Sequence, residues 1–315
     1  MFVIGKSLGF DAVGDARRAE EAGYDGVRAI DHFFSGIPPA RPEAVPHCFV
    51  TLAAAAAVTN RVLITQTMVA PTLRHPFEVA QAVACLDRIS DGRAELGIGT
   101  AWLPSEHDQM NLTLGPPRDR VARALEAATI CREMFHNSGC VDFAGRFFTA
   151  KSEAAWPATP HVPEIQMGAH GPAMIRAAAS IADRVDLVES LVGGRPDFTP
   201  KHVNSAANLA DRIAMAREVA AQRDVTLRFS ATVNVVAAES AAARDDQRTA
   251  LATASDCEPA ALDDELLRIV DVADGVMQRL ETLSGLGVDR LHIRPMDDHT
   301  RDWLGEALPA IQAIG

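Results

Sequence analysis

Asp31-His32 is the first place in this chain where residue types suggest proton chemistry. Histidine's ordinary pKa permits proton transfer near neutrality, and a neighbouring carboxylate can orient its ring. A histidine merely hydrogen-bonded at a strand terminus leaves the same trace. Gly97-x-Gly99-x-x-Trp102 opens like a dinucleotide fingerprint but lacks the third glycine, and Leu103-Pro104 interrupts the helix that should follow. Two glycines instead suit the close approach of a flat ring system to the backbone. Gly168-Ala169-His170-Gly171 precedes a helix opening at Pro172, and free amides there suit a phosphate. A simple glycine-capped turn is the equal alternative. Glu106-His107-Asp108 are consecutive and share no helix face, so they read as a solvated polar loop rather than a metal site. With no HExxH, GxSxG elbow or Walker loop, metalloprotease, hydrolase and NTPase readings lose their usual support.

Elements that would hold these residues alternate along the chain. Strands are expected at Phe2–Gly5, Gly26–Ile30, Arg61–Val69, Arg93–Gly99, Glu164–Met167, Arg184–Glu189, Thr226–Val236 and Val288–Arg294. Helices are expected at Asp11–Ala22, His47–Thr59, Pro76–Ile89, Arg118–Phe135, Pro172–Ile181, Val203–Arg223 and Asp302–Ile311. Asn137–Pro163 reads as an insertion carrying a small hairpin, Val141–Phe148, and Ser240–Leu283 as two or three charged helices. Eight strands, each followed by helix, predict an α/β fold: a (β/α)8 TIM barrel with an insertion after strand 4, residues 1–315 forming one domain. An open doubly wound sheet is the competitor. In a barrel, chemistry gathers where strands end. Lys6-Ser7, Asp31-His32, Thr67–Val69, Gly97–Trp102, Met167–Gly171, Glu189 and Arg294 fall at those ends.

Composition narrows the partners. Of 315 residues, 42 are acidic and 30 basic, a net charge of −12, so no basic face for nucleic acid is implied. The longest apolar run, Leu52–Val58, falls far short of the ~20 residues a bilayer span needs. Met1–Lys6 has no charged leader ahead of an apolar stretch, and the five cysteines are odd in number and never spaced CxxC. A cytoplasmic globular protein with reduced thiols is expected.

Longer stretches carry a resemblance. Ala19-Glu20-Glu21-Ala22-Gly23-Tyr24-Asp25 with Asp31-His32-Phe33, then Thr59-Asn60-Arg61-Val62 through Val69-Ala70-Pro71-Thr72-Leu73-Arg74-His75-Pro76, are followed by Leu86-Asp87-Arg88-Ile89-Ser90-Asp91-Gly92-Arg93 and Leu96-Gly97-Ile98-Gly99. Trp102, Glu106 and Gly115 continue that block, and Met167-Gly168-Ala169, Ala177-Ala178 and Ala182-Asp183 follow later. Together, over about 1–190 and the terminal 287–290 strand, they resemble the bacterial-luciferase-like flavin and deazaflavin oxidoreductases.

The resemblance implies coenzyme F-420, or alternatively FMN, lying across the strand ends of the barrel. It implies a non-prolyl cis peptide at Thr67–Met68, with Asp31, Val69, Gly99, Thr100 and Ala101 near the ring and Met167, Gly168, Ala169 and His170 around the phosphate. His32 becomes the proton-transfer residue, with Glu106 in reserve. Sugar-phosphate dehydrogenases of the family carry a tryptophan where this chain has Ser35-Gly36-Ile37-Pro38, a glutamate at Trp102, and phosphate-binding lysines. Here the lysines are Lys6, Lys151 and Lys201. A less charged small-molecule substrate against a Trp102–Leu103 wall is therefore expected. Three functions follow: hydride transfer with coenzyme F-420, an FMN-dependent monooxygenase, or a cofactor-binding barrel without turnover. Neither nucleic acid nor membrane is an expected partner; a homodimer through the apolar faces of the second and third helices is.

Overall fold

The computed structural model describes residues 1–35, 43–156, 161–192, 195–199, 202–223 and 225–315. Gly36, Ile37, Pro38 and Lys201 lie outside the described residues. Eight strands close into one parallel ring: β1 (Phe2–Ser7), β2 (Gly26–Ala29), β3 (Leu63–Gln66), β4 (Ala94–Ile98), β5 (Glu164–Ala169), β6 (Arg184–Leu187), β7 (Arg228–Ala238) and β8 (Arg290–Pro295). Closure runs through Phe2↔Arg290 between β1 and β8, and through Arg184↔Arg228 between β6 and β7. The expected barrel is thus the fold, and the open sheet is excluded.

Helices α1 (Ala12–Glu21), α2 (Cys48–Val58), α3 (Pro76–Ser90), α4 (Pro104–Gln109), α5 (Pro117–His136), α6 (Pro172–Ala179), α7 (Ala206–Ala220), α8 (Ala241–Ala254), α9 (Ala273–Gly285) and α10 (Asp298–Gln312) connect the strands. Their starts are written locally. Asp11, Ser205, Ser240 and Asp297 each accept an amide of the first turn, and Pro76 and Pro172 open helices where their missing N–H is not needed. Among the described residues no helix is long and apolar enough to cross a membrane.

Two expectations need correction. The hairpin in 137–163 is longer than Val141–Phe148: its strands are Val141–Ala144 and Thr149–Ser152, and, as expected, it follows α5, between β4 and β5. The Glu126 carboxylate of α5 accepts the amides of Arg146, Phe147 and Phe148, fastening the hairpin turn to that helix. Ser240–Leu283 is not wholly helical, because Arg268–Val272 is a strand between α8 and α9. It pairs in parallel with the far end of β7, from Asn234↔Arg268 to Ala238↔Val272, beyond the reach of β6.

Strand residues alternate between two environments. Val3, Val27, Ile64, Leu96, Ile165, Val185, Val233 and Leu291 belong to the apolar core shared with the helices. Their neighbours Arg28, Thr65, Glu95, Gln166, Arg184, Asp186, Ser230, Arg290 and His292 are also buried, but inside the ring. Most barrels fill this space with branched aliphatics; here it is polar. Glu95 on β4 takes both guanidinium nitrogens of Arg290 on β8, at 2.6 and 3.0 Å, across the full width of the barrel. Gln166 Nε2 donates to Thr65 Oγ1 at 2.8 Å, passing over β4 where Gly97 has no side chain. Thr232 donates to Asp186, and Arg28 Nε to Ser7. Burial, then the charges of Arg28, Arg290 and Arg184, push His292 well below the usual histidine range, so it is neutral.

Removing one member of a buried pair strands the other charge. Arg290→Met is expected to lower unfolding free energy by about 3–5 kcal/mol, and Glu95→Leu added to it to restore much of that loss. Urea unfolding of the single and double variants measures this. A single-variant loss under about 1 kcal/mol, the range of exposed pairs, would remove the pair from any structural role.

Candidate active site

The mouth of the barrel lies above the carboxyl ends of the strands, and β2 delivers its two most telling residues to opposite sides. Beyond Ala29 the chain leaves the sheet, and Asp31 turns outward. Its carboxylate takes Nε and Nη2 of Arg74 at 2.8–2.9 Å and the Cys48 thiol at 3.2 Å. Arg74 lies 5.6 Å from the Phe49 ring centroid, so Asp31 is a buried anchor between α2 and the loop after β3. Its carboxylate, which could have oriented the His32 ring, is instead committed to Arg74 and Cys48. Burial, followed by the charge of Asp31, pushes the Cys48 thiol above its ordinary range.

His32 turns the other way. Its Nδ1 lies 2.9 Å from Glu106 Oε2, and Glu106 Oε1 accepts the Phe33 amide at 2.6 Å. Because the carboxylate accepts, Nδ1 carries the hydrogen and Nε2 of the neutral ring keeps its lone pair. Trp102 meets the ring edge-on, with centroids 5.8 Å apart and planes at 73°. Glu106 is only 1% exposed, with one carboxylate oxygen engaged by the His32 ring and the other by the Phe33 amide. Its helix α4 is held from below by His107, whose ring nitrogens meet the Leu103 carbonyl at 3.0 Å and Thr72 Oγ1 at 2.8 Å. The solvated polar loop read from Glu106-His107-Asp108 is thus overturned for its first two members, both buried.

At the ends of β3 and β4 the Thr67–Met68 peptide is cis. Val69 rejoins the sheet beyond it, donating to the Gly97 carbonyl and accepting from the Gly99 amide. A Cβ on Gly97 would meet the Gln66 carbonyl at 2.2 Å and Met68 Sδ at 2.8 Å; on Gly99 and Gly168 it would meet Met68 Cβ at 3.0 Å and Cγ at 3.2 Å. The glycines that suggested room for a ring thus make room for Met68. Thr67 Oγ1 and Gln66 Nε2 are buried beside it with no partner among the described residues. Thr100 is half-buried, and Ala101 has φ 58 with its carbonyl taking Arg120. The side chains of Val69, Met167, Ala169 and Leu103 are buried. Trp102, beside Leu103, is half-buried.

On the far side, β5 runs through Ala169. His170 Nδ1 meets the Val188 carbonyl at 3.1 Å, and its ring stands edge-on to His202, which pairs with Asp197. Burial, with Arg212 nearby, pushes His170 down to about 4. Helix α6 follows, with Gly171 at its N-cap offering no side chain to the first amides.

Sequence reasoning assigned no role to several mouth residues. Glu189, after β6, takes Arg268 of the added strand at 2.6 and 2.8 Å and Asn234 of β7 at 3.0 Å. A cavity of about 280 Å3 opens beside them, walled by Val236, Leu251, Ile269 and Met296. The readable signal was the alternation Leu291-His292-Ile293-Arg294, which sets Arg294 on the inward face.

Residues 11–307 match the luciferase-like monooxygenase family. The chain belongs to that family. Among relatives of known name, the F-420-dependent glucose-6-phosphate dehydrogenase of Nakamurella multipartita is 35% identical over 170 residues, 52% of this chain and 48% of that protein. The pyrimidine monooxygenase of a Caulobacter species is 37% identical over 102 residues, 32% of this chain and 28% of its own. The chain therefore matches about half the length, or less, of these relatives. Among solved structures, an F-420-dependent secondary alcohol dehydrogenase in complex with an F-420–acetone adduct superposes with a TM-score of 0.79 at 18% identity, covering 98% of this chain and 99% of that one. That likeness shows the barrel fold alone.

His170 gives a pH test. Its folded value of about 4 lies below the 6.5 of an unperturbed ring, so the unfolded chain takes up the proton first. The His170 contribution is intact above about pH 6.5 and fades as pH falls toward 4. Urea unfolding at pH 7 and pH 5 is expected to show a smaller acid loss in His170→Asn than in the parent chain. Equal losses would mean the ring titrates normally.

Proposed function

We propose that this protein is a coenzyme F-420-dependent oxidoreductase acting on a small organic substrate at the mouth of the barrel. The observation that carries the reading is the His32–Glu106 pair, fixed at the end of β2 with Nε2 left for the mouth. The residues opposite fit a deazaflavin. Thr67 Oγ1 is an orphaned polar atom at the strand end, Met68 forms an apolar floor above Gly97, Gly99 and Gly168, and the uncapped start of α6 suits a phosphate. When bound, coenzyme F-420 supplies a carbon-centred two-electron hydride carrier.

The chain's own part is positional and protonic. Glu106 holds the Nδ1–H of His32, so Nε2 accepts a proton when substrate is oxidised and returns it in the reverse direction. The buried carboxylate also stabilises the imidazolium that forms. Trp102 limits rotation of the ring and shields its edge from water. The Asp31–Arg74–Cys48 cluster keeps the preceding residue from following His32 into the mouth. The family relationship also favours a second reading, an FMN-dependent monooxygenase, because a relative that matches residues of this chain is named a pyrimidine monooxygenase.

Parallel titration with coenzyme F-420 and FMN separates the two, with tighter F-420 binding expected. With F-420 bound and a substrate found, His32→Ala is expected to slow turnover about 10²–10⁴-fold while leaving cofactor affinity nearly unchanged. FMN binding without F-420 binding would overturn the cofactor reading. Turnover within a few fold of the parent would reduce His32 to a binding residue.

A further inference from the structure

Along β8, Arg290, His292 and Arg294 share the inward face, and their surroundings change with height. Arg290 at the bottom is neutralised by Glu95, and His292 in the middle is enclosed and uncharged. Arg294 at the top is exposed although it points into the ring, so it looks into the open mouth. It makes no hydrogen bond or ion pair among the described residues.

The nearest carboxylate is already taken. Glu189 spends one oxygen on Arg268 Nη2 and Asn234 Nδ2 and the other on Arg268 Nε. Below lies a second arginine, Arg28, fully buried, whose Nη2 has no partner. Burial and the charge of Arg294 bring Arg28 down to about 9, a sign that the two guanidinium groups feel each other. In a chain with net charge −12, three guanidinium groups, Arg28, Arg268 and Arg294, gather in this corner of the mouth against the carboxylates of Glu189 and Asp186.

We infer that Arg294 is the anchor for a carboxylate group of the substrate. The inference rests on the mouth being the reaction site, as proposed above, and adds the substrate class: a monocarboxylate with a short apolar body. A planar guanidinium pairs with a carboxylate through two parallel N–H···O bonds, which fixes orientation as well as affinity. The cavity beside Asn234 and Arg268, whose wall joins Val236, Leu251, Ile269 and Met296 to the carboxylate of Asp297, offers room for the alkyl portion. One free guanidinium suits a single negative charge, which agrees with the scarcity of lysine in this chain. The anionic groups of the cofactor are the other source of the same chemistry, and the test separates them.

Calorimetric titration of the whole chain with isobutyrate and its neutral isostere isobutyramide reads the site directly. The parent chain is expected to prefer isobutyrate by roughly tenfold, and Arg294→Gln to lose that preference while binding coenzyme F-420 within about threefold of the parent. A preference below about threefold in the parent chain overturns the inference, and this arm needs no variant. Isobutyrate affinity kept within about threefold in Arg294→Gln overturns it too, as does loss of F-420 affinity with isobutyrate binding unchanged, which assigns Arg294 to the cofactor. If the parent chain binds no F-420 at all, the cofactor reading fails, while the isobutyrate comparison still decides the role of Arg294.

Discussion

The Glu95–Arg290 pair is the constraint on which the rest of the barrel depends. It joins strands on opposite sides of the ring, and with Gln166–Thr65 it spans a polar interior from wall to wall. Buried charges gain little over well-packed aliphatics in net stability, but they are intolerant of misplacement. A barrel closed on such contacts holds its strand ends in a fixed ring. That ring places the β2 terminus opposite β6–β8, and the mouth inherits its geometry from below.

Above this interior, adjacent residues are assigned opposite tasks by the direction of their side chains. Asp31 is committed outward to Arg74, and His32 inward to Glu106. Glu106 comes from a six-residue helix whose position depends on His107 reaching Thr72. Three consecutive strand-end loops are thus tied together through buried polar contacts. Among the described residues His32 Nε2 is left without a partner, and Met68 packs against Gly97, Gly99 and Gly168 on the neighbouring strand ends.

The barrel was legible because its strands and helices carry distinct periods, and because the Asp-His and Gly-x-Gly blocks fall at strand ends. Residue contacts were less so. Asp31-His32 gives no hint of which residue turns inward, since that is decided by Arg74 and Cys48, over 40 and 15 residues away in sequence. Gly97 and Gly99 announced close approach correctly, but the approaching group is Met68 of the same chain, which also packs on Gly168. Arg268–Val272 was hidden because its strand is short and flanked by charged residues that read as helix. Arg28, His292 and Arg294 were visible only as alternation, and their meaning required knowing that the ring interior is polar.

The central claim is that Glu106 fixes His32 with its proton on Nδ1 and its lone pair on Nε2, and long-range nitrogen–proton NMR of histidine-labelled protein tests it most directly. With His32 assigned by comparison with His32→Gln, the account predicts the Nδ1–H tautomer in the parent chain and a mixture of tautomers in Glu106→Leu. An Nε2–H tautomer in the parent chain, or a tautomer unchanged in Glu106→Leu, would contradict it.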